Sequence, residues 1–294
     1  MKKTFLVAGG DLRFVTLADR LAECYTVYAV GFGKNVDISD RVRVIDWVTD
    51  MDLRADYIIL PLPVSADGIT VSTPYSGSSI SLESLIPVIK DDGIVLGGML
   101  APDVRKLFEE KGITVEDYAS REEFAVLNAV ATAEGAIQVA MEELATTLSG
   151  RKVLVLGAGR IAKVLIDMLK GFHADITVAA RKCSDLAWAR VYGCGAVNIS
   201  SMNQQLEESE VIINTIPAVI LDEKKLKLIS KNSLVIDLAS KPGGVDFDTA
   251  GKLGIKAVWL LSLPGKVAPV TSGEVIAETV INILSERGEL DDRL

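Results

Sequence analysis

Short apolar runs alternate with helical stripes along the chain, and glycine or proline marks the joints. Thr4 to Ala8 is a β-type run that ends in Gly9-Gly10-Asp11. Leu12, Val15, Leu17 and Leu21 then recur at helical spacing. Tyr25 to Val30 predicts a second strand ended by Gly31, and Tyr57 to Leu60 a buried strand stopped by Pro61 and Pro63. Gly93 to Leu96 predicts another, followed by a helix from Pro102 to Lys111. Such alternation predicts a parallel sheet covered by helices. Val64 to Ser79 is rich in Ser, Thr, Gly and Pro and reads as a long loop, of the kind that lines clefts.

From Arg121 to Leu148 there is no proline, and Leu127, Val130, Ile137, Met141, Leu144 and Leu148 recur at steps of three, four or seven. This predicts one long helix, closed by Ser149-Gly150. A second alternation follows, with strands at Lys152–Leu156, Asp175–Ala180, Val211–Asn214, Leu234–Leu238 and Ala257–Leu261. A last helix is expected from about Gly273 to Glu286, and the charged tail Leu290–Leu294 is expected to fray. The fold class is therefore α/β, with two Rossmann-like, doubly wound parallel-sheet domains joined by a long helix. The expected domains are 1–122, on the substrate side, and 123–294, with the last helix (273–287) packing back on the first domain.

Composition narrows the function. The net charge is −9, which disfavours nucleic acid and anionic membranes as partners but not small anions. Three cysteines and one histidine, His173, give neither a disulfide framework nor a zinc pattern, so no metal site is expected. The apolar run Phe5–Ala8 is too short for a signal core, and no run approaches the ~20 apolar residues of a membrane span. A cytoplasmic, soluble protein is the expectation.

The sharpest motif is Gly157-Ala158-Gly159-Arg160-Ile161-Ala162, which follows a strand and opens a helix. This is the dinucleotide fingerprint in its required context. Gly157 allows the tight turn, Gly159 lets a pyrophosphate reach the backbone, and the amides of Arg160 and Ile161 start the helix that attracts it. The following strand ends in Ala180-Arg181-Lys182-Cys183-Ser184, without the acid that holds an NAD ribose. Arg181 and Lys182 suit a 2′-phosphate, so NADP is favoured, with NAD as the alternative. A solvated cationic loop is the plainer reading of the same residues. Thr215 and Pro217, after the fourth strand, and Ala239, after the fifth, fall where such domains contact the cofactor.

Catalytic candidates are less distinct. His173 lies away from the strand carboxyl ends and reads as a surface residue. Glu134 falls within the apolar stripe of the long helix, either as a partly exposed carboxylate at a domain junction or as a buried acid or base. Thr132, Asn128 and Gly135 share another face, where glycine permits close approach of a ligand or of backbone. Ser262, Lys266 and Thr271 lie in a Ser/Thr/Pro/Gly segment after the last strand, suited to a carboxylate or phosphate or equally to a linker with a helix cap. Arg13, near the first helix start, suits a substrate carboxylate or a surface salt bridge with Asp11 or Glu23.

Several segments together resemble the A subunits of dipicolinate synthase from spore-forming bacteria. They are Gly9-Gly10-Asp11-x-Arg13, Leu60-Pro61-Leu62-Pro63, Asn128-Ala129-x-x-Thr132-Ala133-Glu134-Gly135-Ala136, Gly157-x-Gly159-Arg160-x-Ala162, Ala180-Arg181 and Ser262 through Pro269. The resemblance covers nearly the whole chain. It implies formation of dipicolinate during sporulation from a product of the lysine pathway, with NADP or NAD, alongside a smaller, flavoprotein-like B subunit. On that basis a dihydropyridine dicarboxylate is expected between the domains. Arg13, Thr132, Ser262, Lys266 and Thr271 are the substrate-binding candidates. Glu134, Lys241 and Lys266 are the candidates for catalysis. Two alternatives stay open: another NADP-dependent oxidoreductase of small carboxylates, and a non-catalytic NADP-binding subunit that regulates a partner. The long helix's outer face is also compatible with a homo-oligomer.

Overall fold

The structure is a computed structural model, described over residues 2–47 and 53–290. The chain divides into two compact units. The first comprises Met1–Leu127 and Ala268–Leu294, and the second Asn128–Val267. Each is built on its own six-stranded parallel sheet.

In the first unit the strands are β1 (Thr4–Ala8), β2 (Thr26–Val30), β3 (Arg43–Ile45), β4 (Ala55–Ile59), β5 (Ile89–Gly97) and β6 (Thr114–Asp117), in the order β3-β2-β1-β4-β5-β6. In the second they are β7 (Lys152–Leu156), β8 (Asp175–Ala180), β9 (Gly195–Asn198), β10 (Val211–Asn214), β11 (Leu234–Asp237) and β12 (Lys256–Trp259), in the order β12-β11-β10-β7-β8-β9. Counted within its own unit, each sheet has the doubly wound order 3-2-1-4-5-6. The order in which strands are added reverses between β1 and β4 in one unit and between β7 and β10 in the other, the switch point of each sheet.

Alternation explains the unbroken apolar runs. Phe5 and Val7 face one core layer with Tyr57 and Ile59, while Leu6 and Ala8 face the other with Ile58 and Leu60. Val153 and Val155 likewise oppose Leu154 and Leu156 across the second sheet. Both faces are covered by helices, so every central position is buried, at about 1.5–3 kcal/mol for each large side chain.

Helix α1 (Leu12–Ala22) is capped by Asp11, whose side chain accepts from the Arg13 amide. It packs against the last helix, α10 (Pro269–Glu286). A Cβ on Gly273 would lie 2.3 Å from the Arg13 carbonyl oxygen, so glycine is what allows the two helices to approach this closely. Helix α10 begins at Pro269, four residues before the expected start, because proline is well suited to a first helical position. Leu290, expected to fray, is buried in the first unit's core, and 291–294 lie outside the described residues.

Helix α3 (Glu122–Glu143) corrects the sequence reading in three respects. It ends before Leu148; Thr146, Thr147 and Ser149 favour turns, and Lys256 Nζ donates to the Glu143 carbonyl at 3.0 Å. Its buried face is made of small residues, Ala133, Ala136 and Ala140 with Ile137, while Leu127 and Met141 are exposed. It is also long and apolar enough by composition to cross a membrane, with half of that stretch buried inside the protein. Alanine lowers the helix's contrast while allowing close packing.

Candidate cofactor-binding site

In the second unit β7 leads into α4 (Arg160–Gly171) through Gly157-Ala158-Gly159. Gly157 has φ +105°, and a Cβ there would meet Thr215 Oγ1 at 2.3 Å. Among the described residues, nothing beyond its own chain neighbours lies within 4 Å of the Cβ position of Gly159, and no side chain caps α4. The turn is thus tight on its inner side and open on its outer side, where the first helical amides begin. Arg160 is exposed and Ile161 half-buried. Ala162 is fully buried, as close packing of helix on strand requires.

Thr215 fixes its position by donating both its amide and its hydroxyl to the Leu156 carbonyl, each at 2.9 Å. Pro217 is exposed two residues further on. Beyond β8, Arg181 and Lys182 are exposed and form no ion pair among the described residues. Helix α5 (Cys183–Val191) starts directly after them without a side-chain cap. Two cations and a bare helix start therefore meet at the end of this strand, an arrangement suited to an anion.

Ala239 departs from expectation. It is buried, its amide donates to Asp237 Oδ1 at 3.1 Å, and its carbonyl accepts from Trp259 Nε1 at 2.9 Å. Its backbone is already engaged, so it shapes the loop wall and does not offer a free amide.

The first unit has the matching strand–glycine–helix turn, but its own chain fills it. The Gly10 amide donates to the Ser72 carbonyl at 2.9 Å, and a Cβ on Gly9 would meet that same oxygen at 2.6 Å. The loop 64–79 thus occupies the place where a phosphate would meet the turn. It also lines a cavity of about 250 Å³ with Gly31, Lys34 and Asp46. Arg13 takes the second of its two expected roles, the salt bridge with Asp11, but buried and not at the surface, which withdraws it from a substrate. It is 5% exposed, with Nε and a terminal nitrogen on Asp11 and a further bond to the Leu62 carbonyl at 3.0 Å.

The remaining candidates fall as follows. Glu134 is exposed, in line with the plainer of its two readings, an exposed carboxylate, and not with a buried acid or base. Thr132 is buried and gives its hydroxyl proton to the Asn128 carbonyl, within the helix. Gly135 accommodates protein, since Leu263 and Val267 lie 3.1–3.3 Å from its Cβ position. Those two residues belong to α9 (Leu263–Val267), a short helix in the segment read either as anion-binding or as a linker. Lys266 is exposed on α9, so Glu134 and Lys266 sit on adjoining elements. Ser262 is exposed in the left-handed region, with φ +58°. Lys241 and Thr271 are exposed. His173 is exposed in the turn leading into β8, at the strand's amino end.

One feature escaped the sequence reading. Asn214 and Asp237, each 0% exposed, end β10 and β11 and are hydrogen bonded at 2.7 Å. The one available signal is a polar residue closing each of two apolar strands.

Two family models match the chain. One describes the N-terminal domain of the dipicolinate synthase A subunit and matches residues 4–119; the other describes shikimate / quinate 5-dehydrogenase and matches 138–255. The dipicolinate synthase A subunit of Bacillus subtilis (strain 168) is 29% identical over 284 residues, covering 95% of each chain. The crystal structure of the dipicolinate synthase A subunit from Bacillus halodurans is 32% identical, with a TM-score of 0.89 over 96% of this chain and 98% of that one. A transhydrogenase from Sinorhizobium meliloti shares the fold at 17% identity, with a TM-score of 0.70 over 97% and 94% of the two chains.

Proposed function

The chain belongs to the family of dipicolinate synthase A subunits, and from this premise we propose that it carries out the NADP-dependent oxidation of a dihydropyridine dicarboxylate, dihydrodipicolinate, to dipicolinate. The observation that carries the reading is the contrast between two equivalent turns. The turn at Gly157–Gly159 is open over an uncapped helix, whereas the one at Gly9–Gly10 is filled by Ser72. This contrast supports a dinucleotide at the second unit.

Gly157, Gly159 and the amides of Arg160 and Ile161 would take the pyrophosphate. Arg181, supported by Lys182, would take a 2′-phosphate, which argues for NADP over NAD. Thr215 and Pro217 would border the nicotinamide half, with Ala239 forming wall only. When bound, the dinucleotide would supply a hydride acceptor, and aromatisation of the substrate ring would provide the driving force.

The chain's own residues then have to bind, orient and accept a proton. The Nζ atoms of Lys266 and Lys241 are exposed cations suited to the two carboxylates, and the hydroxyls of Ser262 and Thr271 are further donors. The hydroxyl of Thr132 can only accept, since its proton is already given to Asn128. The carboxylate of Glu134 is exposed and able to receive a proton. Arg13 is left out of this set because Asp11 and Leu62 hold it. We place the activity in the cytoplasm of sporulating cells, on a branch from the lysine pathway, and take its partner to be a flavoprotein-like B subunit.

A second reading, a non-catalytic NADP-binding subunit, draws on the position of His173, the one histidine in the sequence, away from the strand carboxyl ends. The test is a titration of NADPH and NADH against wild type and Arg181→Ala, then an aromatisation assay in the presence of the B subunit. Preference for NADPH of about tenfold or more, lost in the variant, supports the cofactor assignment. Failure to aromatise the substrate with either nucleotide overturns the synthase reading. Loss of turnover in Lys266→Ala, with nucleotide binding and assembly intact, overturns the regulatory one.

A further inference from the structure

We infer that Asp237 and Asn214 are positioning residues, a buried clamp that holds together the two loops bordering the nicotinamide half of the dinucleotide. The inference rests on the nucleotide assignment above and adds to it the device that sets the geometry on one side of the second sheet's switch point.

Asn214 and Asp237 are register partners at the carboxyl ends of β10 and β11. Asn214 folds the loop after β10 around itself. Its Nδ2 donates to the Ile216 carbonyl at 3.0 Å, and its Oδ1 accepts from the Ile216 amide at 3.1 Å. Asp237 does the same for the loop after β11. Its Oδ1 accepts from the Ala239 amide at 3.1 Å, and its Oδ2 from the Gly244 amide at 2.7 Å. The Asn214 Nδ2 to Asp237 Oδ1 bond then ties one loop to the other at 2.7 Å. Gly244 completes the fit, since a Cβ there would lie 2.0 Å from Asn214 Nδ2. The second loop is also pinned from its far side by the Trp259 Nε1 bond to the Ala239 carbonyl.

The chemistry of the clamp is specific. Three donors converge on the two oxygens of Asp237: two amides and one side-chain NH2. A carboxylate oxygen only accepts, so every contact is matched. An asparagine has one NH2 edge, and either orientation sets it against a donor. A buried mismatch of this kind forces the loops apart.

The position of the clamp gives it a selective effect. Arg181 and the Gly157–Ile161 turn follow β8 and β7, to one side of the switch point, where the adenosine and pyrophosphate would bind. The clamp lies on β10 and β11, on the other side. Disturbing it should therefore weaken the whole dinucleotide without weakening its adenosine half. General loss of stability would weaken both.

The experiment is a binding titration of NADPH and of 2′,5′-ADP against wild type, Asp237→Asn and Gly244→Ala. The expected result is that NADPH binding weakens about tenfold or more in both variants while 2′,5′-ADP stays within about twofold. Equal weakening of both ligands, or no weakening of either, overturns the clamp. If Asp237→Asn does not fold, Gly244→Ala decides the matter by displacing Asn214 with Asp237 intact. If wild type binds neither ligand, the nucleotide assignment fails, and the clamp with it. Wild type that binds both ligands, with variants that do the same at wild-type affinity, overturns the clamp alone.

Discussion

Gly157 and Thr215 fit together so closely that a Cβ on the glycine would fall 2.3 Å from the threonine Oγ1. The contact joins the first strand of the second unit to the fourth, across the switch point of its sheet. Gly157 also has φ +105°, a conformation that L side chains rarely adopt. Gly157→Ala is therefore expected to cost about 2 kcal/mol in stability. It should also weaken NADPH by more than tenfold, since the turn can no longer present the helix start. Thermal unfolding and a fluorescence titration measure the two effects. An alanine variant with wild-type affinity would remove the turn from the binding site.

Arg13 tests the first unit independently. Arg13→Ala leaves the Asp11 carboxylate with only the backbone amide of residue 13 and removes the side-chain donor to the Leu62 carbonyl. A loss of about 3 kcal/mol is expected in denaturant unfolding, because Arg13 is nearly fully buried. NADPH affinity should not change. A variant of unchanged stability with a raised substrate KM would instead return Arg13 to the substrate site.

Acid stability should depend in part on Glu210. The hydrogen bond from the Arg151 guanidinium is the main reason its carboxyl lies below the ordinary value of 4.5. A lowered folded value means the stabilisation is present above the unfolded value and is lost as pH falls through the folded one. Glu210→Gln should thus be less stable than wild type at pH 7, by about 0.5 kcal/mol after solvent screening. The difference should shrink as pH falls below 4.5 and close once it has passed the lowered folded value. Unfolding midpoints at several pH values check the sign. A gap that widens in acid would contradict it.

The three cysteines should separate by reactivity. Cys24 and Cys183 are exposed, whereas Cys194 is buried and its thiol is pushed up by that burial. Less thiolate at a given pH means slower alkylation, so Cys194 should be labelled last. Cys183 begins α5, two residues after Arg181, and bound NADPH should slow its labelling while leaving Cys24 unaffected. Mass spectrometry of peptides after brief alkylation reads all three. Equal labelling of Cys183 with and without NADPH would argue against a nucleotide at this strand end.

What the sequence determined by itself is local. Strands β7, β8 and β10 were legible to the residue, because a strand buried on both faces reads as a continuous apolar run. The turn at Gly157–Ala162 and the cations after β8 were equally legible, since each depends on a few adjacent residues. Three edge strands, β3, β6 and β9, carried no such signal; they are largely exposed or half-buried and so mix polar with apolar residues. The buried face of α3 was misread because its packing residues are alanines, which periodicity weights little. Tertiary structure alone decided the rest. It closed Gly9–Gly10 with Ser72, buried Arg13 between Asp11 and Leu62, and joined Asn214 to Asp237. Apart from the Asp11 bond, each of these pairs residues tens of positions apart, and only the folded sheet brings such residues within hydrogen-bonding distance.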